Sequence, residues 1–82
     1  MKVWHGNYDG KRVAMVAARN QKEAAAAIGT SIYDLRQYYT SFRPETDEEI
    51  AAALEPLVVW VREANSNDEW IRRDPIKLDV TP

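Results

Sequence analysis

Apolar and polar positions along the chain alternate at its start, cycle with a helical period through its middle, and alternate again near its end. Val3 and Trp4 begin an extended segment, Asn7-Tyr8-Asp9-Gly10 has turn chemistry, and Arg12 to Ala17 continues extended. Asp9-Gly10 favours a hairpin because both residues tolerate positive φ. Val13 and Met15 then share one face of the second strand, and Ala14 and Val16 the other. A helix follows: Asn20 caps it, Glu23 completes a capping box, and four successive alanines fill Lys22 to Ile28. Gly29 ends it, since glycine takes the left-handed conformation without steric cost.

A second helix starts at Thr30 or Ser31, with Asp34 three residues after the serine. Ile32, Leu35, Tyr39 and Phe42 fall near one helical face, so this helix is expected to run to the break at Pro44. Thr46 and Glu49 form another capping box for a short helix through Leu54, which Pro56 stops. Leu57 to Val61 reads as a β-branched strand, Asn65 to Asp68 as a turn, and Glu69 to Arg73 as the partner strand. The pattern predicts one α+β domain over residues 1–75, in the order β-β-α-α-α-β-β, with a loosely held tail over 76–82. It consists of two antiparallel hairpins packed with three short helices. One buried sheet face is expected, with Val13, Met15, Val59 and Val61 as candidates. Trp60 and Trp70 would pair on the opposite face. Outer strand edges make a homodimer by edge pairing conceivable.

Composition narrows the chemistry. The chain is 45% hydrophobic and 29% charged, an ordinary globular balance. Its length permits one modest core and a net stability of about 5 kcal/mol. It has no cysteine, which excludes disulfides and thiolate zinc sites. A single histidine, His5, leaves no basis for a catalytic triad or a transition-metal centre. Gly6 to Lys11 looks superficially like a phosphate-binding loop, but the spacing is one residue short and no helix follows. A non-enzymatic binding role, with no cofactor and no metal, is therefore expected. The amino terminus lacks the apolar stretch of a signal peptide, and the longest apolar run, Leu57 to Val61, is too short for a bilayer. A cytoplasmic protein without a membrane partner is expected.

The net charge of −2 is unevenly spread. Residues 1–43 hold seven basic and three acidic side chains, a balance of +4, and residues 44–82 hold four against ten, a balance of −6. This suggests a basic working surface and an acidic one, although two solvated faces would give the same count.

The stretch Gln21 to Tyr38 resembles the helix-turn-helix family. Ala25 lies four residues before Gly29, Gly29 makes the turn, and Ala24, Ile28, Leu35 and Tyr38 occupy the apolar positions between the helices. Thr30 stands where the family usually has an aliphatic residue. The resemblance implies double-stranded DNA as partner, with Ser31, Tyr33, Arg36 and Gln37 facing the bases. Arg19 and Lys22 would meet phosphates, and the last hairpin would act as a wing with Arg72 and Arg73 near the DNA backbone. The whole chain is also similar to small uncharacterised proteins encoded by bacteriophages. That likeness implies a bacterial host cell and an alternative role as an inhibitor, such as an anti-CRISPR, of a host protein machine. Glu45, Asp47, Glu48, Glu49, Glu55, Asp68 and Glu69 would then form the binding surface.

Overall fold

Ala14 to Ala18 are buried without a break, and this run decides the architecture. Successive residues of a strand point to opposite faces, so a strand hidden on every residue must be covered on both sides. The structure, a computed structural model describing residues 1–66 and 69–73, provides that cover with helices on each face of one antiparallel sheet. Its strands are β1 (Lys2–Asn7), β2 (Arg12–Ala18), β3 (Tyr39–Phe42), β4 (Trp60–Glu63) and β5 (Ile71–Arg72). They lie in the order β3-β1-β2-β4-β5. The helices are α1 (Gln21–Ile28), α2 (Ile32–Tyr38) and α3 (Asp47–Ala53).

The predicted α+β class, its antiparallel pairing and its three short helices are observed, with one further strand, β3, between α2 and α3. The caps form as the sequence indicates. Asn20 accepts the Glu23 amide, Ser31 accepts the Asp34 amide, and Thr46 and Glu49 make a reciprocal capping box. Gly29, at φ 91°, ends α1 with its amide on the Ala25 carbonyl. The Glu23 carboxylate, however, takes the amide of Arg19 rather than that of the cap residue.

α1 and α2 cover one face. Ala24, Ala25, Ile28 and Leu35 pack there on Trp4, Ala14, Val16, Ala18, Val59 and Val61. Leu35 is the buried residue of α2, so one side chain anchors that helix, contributing about 2 kcal/mol. α3 covers the other face, where Ala52 meets Val3, Met15 and Ala17, with Phe42, Trp60 and Trp70 at the margin. The expected single buried face is thus corrected to two. Met15 is paired with Trp60 and Ala14 with Val61, so Met15 shares a face with the tryptophans and Val59 and Val61 lie beneath α1. Tyr38, expected between the helices, is exposed.

Three strand boundaries also differ from the sequence pattern. α2 stops at Tyr38 because Tyr39 to Phe42 pair with Gly6 to Val3 of β1. That ladder uses the β preference of tyrosine, threonine and phenylalanine. Leu57 takes a positive φ of 69° and donates its amide to the Ala17 carbonyl at 2.9 Å, which delays β4 until Trp60. β5 is limited to two residues. Asp68 and the tail over 76–82 lie outside the described residues.

Gly6 is where the α2–β3 junction crosses β1. A β-carbon there would overlap the Tyr38 carbonyl oxygen and lie 2.8 Å from the Tyr39 Cα, and both are backbone atoms that cannot swing aside. Gly6→Ala is expected to destabilise the protein by about 3 kcal/mol, read as a lowered urea midpoint. Gly10, at φ 86° with open space around its Cα, provides the contrast. Gly10→Ala should cost only about 1 kcal/mol, from backbone strain alone.

Candidate functional site

The helix pair brings the expected DNA-facing residues to one side of the molecule and then engages most of them internally. Arg19, before α1, makes an ion pair with Glu23, its Nε 3.1 Å from the carboxylate. That hydrogen bond holds the Glu23 carboxyl below its ordinary range. Arg36 donates from Nε to the Gln21 side-chain oxygen at 3.0 Å, tying α2 to the start of α1. Gln37 donates to the Tyr33 hydroxyl one turn away at 3.4 Å, and the Ser31 hydroxyl is the α2 cap. Lys22 is exposed on the first turn of α1. Tyr33 and Tyr38 project outward, 69% and 56% exposed.

The wing residues are committed as well. Arg73 donates to the carbonyls of Ala27 at 2.8 Å and Ile28 at 3.0 Å, and to the Tyr8 hydroxyl at 3.2 Å. A guanidinium at these last carbonyls of α1 satisfies acceptors the helix leaves open and complements its dipole. Arg72 faces Glu55 at 3.8 Å. No sequence signal marked Arg73 as a cap, because its partners lie far earlier in the chain.

On the opposite face, α3 and the β4–β5 end of the sheet enclose a groove of about 280 Å³. Met15, Ala51, Ala52, Trp60 and Trp70 line it, and Glu48 and Glu69 are its charged residues. The Arg62 guanidinium lies over the Trp70 ring at 4.4 Å from its centroid. His5 meets the same ring edge-on at 5.3 Å and lies beside Phe42 at 6.2 Å. Of the other acidic candidates, Asp47 is exposed on the first turn of α3, and Glu55 is the partner of Arg72. Glu49 accepts the amides of Glu45 and Thr46. Burial pulls the Glu49 pKa upward, but those amide bonds prevail and hold it below the usual range. Glu45 contributes its backbone, and its side chain is exposed.

The groove is an apolar slot with carboxylates at its margin, an arrangement that favours the stem and head of a basic side chain. Among the described residues, no cluster of three or more histidine, cysteine or acidic side chains is placed to hold a metal ion. Likewise, no helix among them is long and apolar enough to cross a membrane. No model of a known protein family matches the chain, and neither do any curated protein or solved structure.

Burial first, and the nearby Arg62 charge second, lower the His5 pKa from its ordinary 6.5, against an opposing pull from Glu49. The unfolded chain therefore binds more protons than the folded one just below that value. Stability present above pH 6.5 is lost as pH falls through the folded pKa. Urea midpoints should decline as pH falls below about 6.5, and His5→Phe should flatten that part of the profile. Asp9, Glu23 and Glu49, all below their ordinary values, add a separate loss only at lower pH. Arg73→Met keeps the apolar stem and removes the donors. It should lower stability by about 2 kcal/mol and speed amide exchange at the end of α1.

Proposed function

We propose that this protein is a non-enzymatic binding module whose α3–β4–β5 groove takes a basic segment of a partner protein. The observation that carries this reading is the meeting of Glu48 and Glu69 with Trp60 and Trp70 around one open groove, from positions well separated in the chain. Two indoles offer flat apolar area, with the Arg62 guanidinium already over the Trp70 ring, and the carboxylates supply charge at the rim. Asp47, exposed beside them on the first turn of α3, adds to the negative field. An inhibitor of a host nucleic-acid machine could use such a face to occupy the basic channel in place of the nucleic acid. DNA binding through α2 has less support, because Arg19 and Arg36 are engaged by Glu23 and Gln21, and Asp34 lies on the same exposed helix.

Fluorescence anisotropy with two labelled probes, an arginine-rich peptide and a duplex DNA, separates these readings. The peptide should bind, weaken with salt, and lose about tenfold in affinity in the Glu48→Gln/Glu69→Gln double variant. Asp34→Asn, which removes a carboxylate from the other face, should leave peptide binding unchanged. Peptide affinity indifferent to the groove substitutions would overturn the proposal. Duplex binding that disappears in Arg36→Ala would replace it with the DNA reading.

A further inference from the structure

The outer edge of β3 carries a second inference, independent of the groove. Among the described residues, β3 is the first strand in the sheet order and is bonded to β1 alone, so its other side presents backbone donors and acceptors with no strand partner among them. Exposed edges are usually blunted by charge, proline, a bulge or brevity. The opposite edge follows that rule: β5 has two residues, and one of them is Arg72, facing Glu55. β3 is less guarded: its four residues, Tyr39-Thr40-Ser41-Phe42, include no charge and no proline, which come only beyond its end at Arg43 and Pro44, and three of them favour strands. α2 runs directly into β3 and leaves Ile32, Tyr33 and Tyr38 exposed.

We infer that β3 pairs antiparallel with β3 of a second copy of this chain, about a two-fold axis perpendicular to the sheet and centred on Thr40. Residues 39–41 are self-complementary in that register. Thr40 faces its own counterpart, Tyr39 faces Ser41, and no like charges meet, while Phe42 lies past the paired stretch, opposite the end of α2. Facing threonines are favourable cross-strand neighbours. An isologous contact of this kind closes at two copies and leaves no free β3 edge. Directly opposed residues of an antiparallel pair share a face, so the joint sheet has ten strands with each layer continued across the axis. Both copies of α3, with their grooves, then lie on one side of the dimer, and both α1–α2 pairs lie on the other. Two grooves on one face would engage a partner with repeated basic segments bivalently.

Thr40 is exposed, so Thr40→Lys sets like charges opposite each other at the axis without disturbing the core. Sedimentation equilibrium across a micromolar concentration series should give the mass of two chains for the wild type and of one for Thr40→Lys. Circular dichroism should be the same for both. Amide exchange in β3 should slow with rising wild-type concentration. A wild type that stays monomeric throughout, or a dimer that Thr40→Lys leaves intact, would overturn the inference. A monomeric Thr40→Lys variant that still binds the arginine-rich peptide would separate the two proposals, because groove and edge would then be independent.

Discussion

Burial of β2 on both sides is the constraint from which the rest of the molecule follows. A strand in that position needs helices above and below it, and in so small a chain those helices must come close. Alanine makes this possible. Ala14 and Ala18 face Ala24 and Ala25 of α1, and Ala17 faces Ala52 of α3, so each helix approaches the sheet with little side-chain bulk between. The few large residues are distributed around this close-packed centre. Trp4 and Leu35 lie on one side and Met15 on the other, while Trp60 and Trp70 fall at the margin where α3 no longer covers the sheet. The groove is a result of that geometry: a seven-residue helix cannot roof a five-stranded sheet.

Local chemistry in the sequence was a sound guide to where helices begin. Asn20, Ser31 and Thr46 cap as their side chains predict, and Gly29 takes the left-handed turn, because each of these effects acts over three or four residues. Tyr39 and Phe42 were ambiguous, since the same residues satisfy a helical period and a strand. Pairing with β1 decides between them, and that pairing depends on Gly6 leaving room for the Tyr38 carbonyl. The faces of Met15 and Val61 were misassigned for a related reason. Alternation gives two sets of residues per strand, but only the register between β2 and β4 shows which sets belong together.

The candidate site was legible in its ingredients and not in its assembly. Glu48, Glu69, Trp60 and Trp70 could each be noted as chemistry-bearing, and their convergence required the sheet order. The basic half of the chain is a reminder that charge counts do not distinguish working side chains from structural ones. Arg12 pairs with Asp9, Arg19 with Glu23, and Arg36 with the Gln21 side chain, so several cations of this half serve its own turns and helix contacts. Among the described acids of the other half, Asp47, Glu48 and Glu69 are exposed to solvent.

Arg73 also bears on how the chain is made. The end of α1 at Ala27 and Ile28 and the hairpin residue Tyr8 are all joined by a side chain that follows them by 45 residues or more. A ribosome releases these elements in order, so α1 emerges well before the guanidinium that completes its last turn. Until Arg73 has emerged, those carbonyls rely on water, and until β4 has emerged, β2 lacks its neighbour on that edge. The cap on α1 is therefore among the last of the described contacts to become available, and a message truncated a few codons before Arg73 encodes a chain whose first helix keeps an open end.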